Sequence, residues 1–209
     1  MDLPGGLGMA DLGPDRDGLT LDRLHVCIGP VLPDWPAGLV VRMTLQGDVI
    51  QEAAAEVLDP LPEEHRDQDA SVPAAVRELD ALGRFLGVAG WAGPAAHCRR
   101  LRDQLLLGSD RIDGEADALL ARVGRSRLLR WSVRGIPAGT QDLEALLDRR
   151  LARVRAALDE PADAPGQEVT VRALPGLMVG AELAAARLIV AATNPQPDSL
   201  DRVGEAVHG

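Results

Sequence analysis

Apolar and polar positions alternate in the segment 21–58. Apolar side chains occupy every second position from Leu39 to Leu45, and a second run of similar character follows the dipeptide Gln46-Gly47. This period of two is typical of a strand with one buried face. Glycine also tolerates the positive φ that a tight turn requires. The pattern therefore predicts a β-hairpin region over residues 21–58.

After the first third of the chain, the apolar residues recur at spacings of three and four, which is typical of amphipathic helices. Three long helices are predicted: Ser71 to Gly87 or Gly90, Pro94 to Leu107, and one that Asp142 caps. Between the second and third helices, the pattern predicts a short helix over 110–123 and a short strand near 127–134. Together these elements form a predicted helical region, 71–159.

The remaining segments connect or extend these elements. Residues 1–20 are predicted to be a flexible N-terminal arm, 59–70 an acidic linker, and 160–168 a linker rich in Pro, Ala and Asp. The segment 169–203 is expected to hold a short strand over 168–172, a helix from Leu174 through Ala186, and a turn. The predicted fold class is α+β: an N-terminal β-hairpin or small antiparallel sheet packed on a mainly α-helical bundle.

Composition limits the classes of function. The net charge is −10, and all 22 basic residues are arginine. An acidic chain lacks the basic face that neutralises phosphates, so we expect no nucleic-acid partner. The N-terminus does not have the pattern of a signal peptide, and no apolar run is long enough to predict a membrane helix. We expect a cytoplasmic protein, one that reaches the cytoplasmic membrane only through a complex.

The two cysteines, Cys27 and Cys98, lie 71 positions apart. This spacing fits neither a disulfide framework nor a zinc site. Free cysteine is among the residue types most often found in protein cores. Both side chains are therefore predicted to be buried, reduced thiols.

Two segments combine glycine, proline and charged residues in a recognisable order. The first, 29–39, reads Gly-Pro-Val-Leu-Pro-Asp-Trp-Pro-Ala-Gly-Leu and leads into the hairpin. The second, 194–202, reads Asn-Pro-Gln-Pro-Asp-Ser-Leu-Asp-Arg. They resemble the signatures G-P-x-H-P-x-x-H-G-V-L and D-P-C-x-x-C-x-D-R of one large-subunit family. That family includes the quinone-site (D-type) subunit of respiratory complex I and the large subunit of energy-converting NiFe hydrogenases.

The resemblance is carried by a small set of positions, which it implies to be a vestigial or partner-contact site: Gly29, Pro30, Pro33, Gly38, Pro195, Asp201 and Arg202. The chain departs from the family where chemistry would take place. Gln196 and Ser199 occupy the two cysteine positions of the second signature. In the first signature, Leu32 replaces one histidine, and the other falls at Pro36 or Ala37. The long middle portion of the family is also missing.

The resemblance, with these departures, implies a shortened and degenerate large subunit with no catalytic residue, no metal ligand and no cofactor bound by this chain. Its partners would be an iron–sulfur small subunit and other subunits of a complex I-like or hydrogenase-like assembly. One alternative is a reduced oxidoreductase subunit that still shapes a quinone pocket, with Asp201, Arg202, His25 and His97 as polar contributors. Another is an unrelated helical protein-binding domain. Kinship predicts that the hairpin and the turn 195–202 lie close together.

Overall fold

The computed structural model describes residues 12–14, 20–58, 72–109, 112–159 and 169–195, and it confirms the α+β fold. Four strands form an antiparallel sheet in the order β1-β2-β3-β4: β1 (Leu12–Pro14), β2 (Thr20–Ile28), β3 (Leu39–Gln46) and β4 (Val49–Val57). The helices are α1 (Ala74–Val88), α2 (Ala92–Leu106), α3 (Asp113–Gly124), α4 (Arg127–Val133), α5 (Leu143–Asp159), α6 (Leu174–Met178) and α7 (Leu183–Thr193). A two-stranded ribbon, β5 (Pro137–Ala138) and β6 (Gln141–Asp142), precedes α5.

The predicted hairpin is confirmed as β3 and β4. Gln46 pairs with Val49, and Gly47 lies in the turn with φ 63°. The odd-numbered apolar residues of β3, such as Leu39 and Val41, are buried as expected. The prediction of a single buried face is wrong, however, because Val40, Thr44 and Gln46 on the other face are buried too, and only Arg42 is exposed. The turn forms there because glycine adopts this backbone conformation without strain.

The flexible-arm prediction is wrong for Leu12–Pro14, which pair with Thr20–Asp22 as strand β1. The buried side chain of Gln46 holds this strand, because its Nε2 donates to the carbonyl oxygen of Gly13 at 3.0 Å. The rest of the predicted arm outside β1 and Thr20 lies outside the described residues, as do both predicted linkers.

Two hydrophobic clusters fill the interior, and α7 belongs to both. Ala186 and Val190 pack with the inner face of the sheet and with α6. Ile189, Ala191 and Ala192 pack among the other helices. The C-terminal helix is therefore the element that joins the sheet to the helical core.

The predicted strand near 127–134 is wrong, because this segment is helix α4. Ser126 caps the helix, with its Oγ accepting from the backbone N–H of Leu129 at 3.3 Å. Leu129 and Val133 are buried at a spacing of four, whereas Leu128 and Trp131 are each 74% exposed. The order of apolar and charged residues in this segment resembles the alternation of a strand, but the two buried residues are four positions apart, as they would be in a helix.

Two further predictions fail in the C-terminal segment. In the described part of the expected strand over 168–172, which begins at residue 169, the chain instead forms a short 3-10 helix, Val171–Ala173, that leads directly into α6. The expected single helix from Leu174 is broken into α6 and α7 at Gly180, whose φ is 84°. Its backbone N–H donates to the carbonyl oxygen of Ile50 at 2.8 Å, so the break is paired with the edge of the sheet.

The remaining helix predictions hold. The first two long helices are α1 and α2, and the predicted short helix is α3. The Asp142 cap of α5 is confirmed, since its Oδ1 accepts from the backbone N–H of Ala145 at 2.9 Å. The predicted cap Ser71 lies outside the described residues, and α1 begins after Pro73. No helix in the described part of the chain is long and apolar enough to cross a bilayer.

Candidate functional site

The loop 29–38 connects β2 to β3 and carries the first family-like segment. At its start, Gly29 has φ 97°, and a Cβ atom at this position would overlap the carbonyl oxygen of Leu39. The indole Nε1 of Trp35 donates to that same oxygen at 2.8 Å, and Trp35 is only 7% exposed. The backbone of Gly29 and the indole of Trp35 therefore both lie against Leu39 at the start of β3, which closes the base of the loop.

The middle of the loop is fixed to the first two helices. Asp34, which has φ 60°, forms an ion pair with Arg99 of α2. Its carboxylate also lies against the backbone of α1 at Gly87, where a Cβ atom would collide with it. The absence of a side chain at Gly87 thus leaves the space that the Asp34 carboxylate fills.

The side chains at the family's histidine positions contribute no titratable group. Pro36 is buried and Ala37 is exposed, while Leu32 packs against the sheet-side cluster. Val31, in contrast, is 93% exposed at the outside of the loop. The loop presents an apolar side chain to solvent and has no proton donor at the positions where the family carries histidine.

The second family-like segment begins at the end of α7. Asn194 has φ 46° and ends this helix in the left-handed conformation, which asparagine tolerates better than most residues. Pro195 is buried, and Gln196, Ser199, Asp201 and Arg202 lie outside the described residues.

The elements that lead to the two segments are in contact. The chain just before α7 pairs with the free edge of β4, where the backbone N–H of Ile50 donates to the carbonyl oxygen of Ala181 at 2.9 Å. On the inner face of the sheet, Val190 of α7 belongs to the same buried cluster as Trp35 and Leu39. The C-terminal helix thus packs against the hairpin that follows the loop.

The two candidate histidines have separate environments. The Nδ1 of His25 on β2 lies 3.3 Å from the hydroxyl oxygen of Thr44 on β3. The Nε2 of His97 on α2 lies 3.5 Å from a carboxylate oxygen of Glu115 on α3. Each histidine therefore has its own polar neighbour on the adjacent element.

The arginines of α2 pair with acidic residues. Arg100 contacts Glu115 at 3.3 Å, and Arg102 pairs with Asp80 and Asp103. Burial lowers the pKa of Arg102, but hydrogen bonds to the two aspartates more than offset this, and the net pKa is raised. The pairs on this face fix α2 against α1 and α3.

The cysteine prediction is half right. Cys98 is fully buried between helices, and desolvation raises the pKa of its thiol to about 12. The prediction for Cys27 is wrong, because this residue lies exposed on β2. Both cysteines are free.

Sequence reasoning missed a group of arginines on α5. Arg150 is 7% exposed, and its guanidinium donates to the Glu78 carboxylate at 2.7 Å and to the carbonyl oxygen of Ala192 at 3.0 Å. The signal was its spacing, since Leu147, Arg150 and Val154 follow the three-and-four pattern of an inward face. An arginine at such a position indicates a buried charge with a specific partner.

Among the described residues, no group of three or more His, Cys, Asp or Glu side chains is arranged to hold a metal ion. Comparison of the chain with protein-family models, with curated proteins and with solved structures gives no match.

Proposed function

We propose that this chain is a non-catalytic, shortened large-subunit-like component of a complex I-like or hydrogenase-like oxidoreductase assembly. In this role it docks on an iron–sulfur small subunit and contacts the membrane only indirectly, through the complex. The chain contributes a scaffold, while other subunits carry the redox chemistry.

One observation carries the proposal: the loop 29–38 is closed by its own residues. Trp35 fills its base, and the ion pair of Asp34 with Arg99 fixes its middle to the helices. In the family that the chain resembles, the corresponding loop bears histidines and lines a quinone pocket. Here the corresponding loop keeps the glycines and prolines of the signature, but the side chains of Trp35 and Asp34 fill the space inside it.

The order of elements in the chain also favours this role. The loop precedes a hairpin, helices follow, and the C-terminal helix returns to the sheet through the edge contact of Ala181 with Ile50. The family-like segments 29–39 and 194–202 stand at opposite ends of this arrangement in the sequence. The elements between these two segments bring helix α7, which precedes the second segment, against the hairpin.

The residue chemistry argues against catalysis by this chain. Quinone reduction requires a group that donates a proton, and Leu32, Pro36 and Ala37 have none in their side chains. A NiFe centre requires thiolates in two pairs, because these soft ligands hold both metals. Gln196 and Ser199 supply an amide and a hydroxyl instead.

The loop also offers a surface for a partner. Val31 is the most exposed of the large apolar side chains in the described residues. Burying one valine side chain contributes about 1.5–3 kcal/mol. A partner that covers the outside of the loop would therefore gain affinity from this residue.

The test is affinity purification of the tagged full chain, expressed at native level in its host, with mild detergent. Mass spectrometry should find a small iron–sulfur subunit among the captured proteins, and metal analysis should find iron without nickel. A lone, metal-free chain would contradict the proposal and favour an unrelated binding domain.

A matched pair of variants tests whether the loop is the docking surface. Val31→Asp should reduce recovery of the iron–sulfur subunit by about tenfold, since it places a charge in an apolar contact. Val179→Asp is the control, because Val179 is also exposed and lies in the α6–α7 connection. Equal losses in the two variants would show that the outside of the loop does not bind this partner.

A further inference from the structure

A cavity of about 440 Å³ lies between the ribbon β5–β6, helix α5 and the C-terminal elements. Ligand pockets in proteins commonly measure about 300–1,000 Å³, so this cavity has room for a small organic molecule. Its lining is made by the turn 139–141, by α5, by the segment 169–177 and by the end of α7. None of the loop residues 29–38 belongs to this lining.

Three arginines of α5 line the cavity: Arg149, Arg150 and Arg153. Among the residues that the structure describes, none of those lining the cavity is acidic. Glu78 of α1 pairs with both Arg150 and Arg153 from outside the lining. One carboxylate therefore faces two guanidinium groups.

Arg149 adds a further positive charge, because it donates a hydrogen bond to the neutral amide oxygen of Gln141. Three guanidinium charges against one carboxylate leave an excess of two positive charges in this group. Burial lowers the pKa of Arg150, and its cationic neighbours Arg153 and Arg84 lower it further, while Glu78 raises it.

The other lining residues indicate which further chemical groups a ligand of this cavity would carry. Thr140 and Thr170 add hydroxyl groups that can donate hydrogen bonds, while Leu146 and Leu177 add apolar surface. Guanidinium groups match the oxygens of carboxylates and phosphates, to which they donate paired hydrogen bonds. A molecule with an oxyanion group and a small apolar part fits these features together.

We infer that this cavity is a binding site for a small organic anion that carries a phosphate or a carboxylate group. Arg149 and Arg153 bind the oxyanion. Arg150, held by Glu78 and by the carbonyl oxygen of Ala192, keeps the positive charge at the cavity wall. The inference rests on α5 and its neighbours, and it is independent of the docking role proposed for the loop.

The test is isothermal titration calorimetry on the full chain with two probes, inorganic pyrophosphate and citrate, at constant ionic strength. At least one probe should bind, and added salt should weaken binding because the contact is ionic. Tighter binding of pyrophosphate would identify a phosphate site, and tighter binding of citrate a carboxylate site. Failure of both probes to bind at millimolar concentration would overturn the inference.

The double variant Arg149→Gln/Arg153→Gln should bind the preferred probe at least about tenfold more weakly. Arg155→Gln is the matched control, because Arg155 lies on the same helix, is exposed and pairs with Asp117. Arg149→Gln alone provides a second test that leaves the Glu78 pairs intact, and it should weaken binding several-fold. Wild-type affinity in a folded double variant, or in the single variant, would show that the anion binds elsewhere.

Discussion

Replacing Gly29 with alanine tests the closure of the loop most sharply. The backbone there has φ 97°, and a Cβ atom would overlap the carbonyl oxygen of Leu39. That oxygen also accepts the indole hydrogen bond of Trp35. The variant Gly29→Ala must therefore move the loop away from β3 and break a buried hydrogen bond.

The expected cost has two parts. A side chain in a left-handed conformation costs roughly 1–2 kcal/mol. Leaving the buried indole N–H of Trp35 without an acceptor costs a further 1–3 kcal/mol or so. The free energy of unfolding should thus fall by about 3 kcal/mol. For a chain of this size, that corresponds to a decrease in Tm of roughly 6–12 °C.

Gly47→Ala is the matched control, since Gly47 also has a positive φ but would meet no atom with an added Cβ. It should lower the free energy of unfolding by only about 1 kcal/mol. Urea unfolding followed by tryptophan fluorescence measures both variants under the same conditions. Equal stability of the two variants, within about 0.5 kcal/mol, would refute the close contact between Gly29 and β3.

Four further predictions concern buried or paired groups. Glu78→Gln should destabilise the fold by about 3–5 kcal/mol in thermal or urea unfolding, because it leaves the buried charge of Arg150 uncompensated. A thiol reagent should label Cys27 at once and Cys98 only after unfolding. Because the pKa of Cys98 is raised to about 12 in the fold, stability should decrease as pH rises from about 9. Arginine hydrogen bonds lower the pKa of Glu144, so its contribution to stability should be lost as pH falls below about 4.5, and Glu144→Gln should flatten that loss in acid unfolding.

Each of these predictions has a contradicting result. Stability that stays constant between about pH 9 and pH 12 would mean that the fold does not desolvate the Cys98 thiol. Unchanged stability of Glu78→Gln would mean that Arg150 reaches water. Rapid labelling of two thiols in the native chain would place Cys98 at the surface. If acid unfolding has the same slope in wild type and in Glu144→Gln, then protonation of Glu144 does not contribute to the loss of stability in acid.

Where one period dominated a segment, the sequence predicted its structure well. The β3–β4 hairpin follows from apolar residues at every second position of β3 and from Gly47, which meets the requirement of the turn. Helix α5 follows from the cap at Asp142 and a long apolar stripe. In both cases local propensity and burial require the same conformation, so local reasoning is sufficient.

The failures occurred where tertiary contacts decide. Helix α4 has too few residues for its helical period to outweigh an apparent alternation, and its cap at Ser126 was missed. The break between α6 and α7 depends on pairing of Gly180 with Ile50, which is far away in the sequence. Burial of Cys98 but not Cys27 likewise depends on which face of an element the fold covers.

The candidate site was predicted only in part. The glycines and prolines of the segment 29–38 indicated a loop, because proline fixes φ while glycine permits positive φ. The pairing of Asp34 with Arg99 could not be predicted from the sequence, since the two residues are 65 positions apart and Asp34 occupies a variable position of the family signature. The arginines of the α5 cavity were missed for a similar reason, although the inward spacing of Arg150 was visible.

The most direct test of the central claim is the metal content and subunit composition of the tagged chain, purified from its host under mild detergent. The proposed role predicts that an iron–sulfur small subunit co-purifies, with iron present and nickel absent. Stoichiometric nickel bound by the isolated chain would contradict the claim that this subunit has lost its metal site.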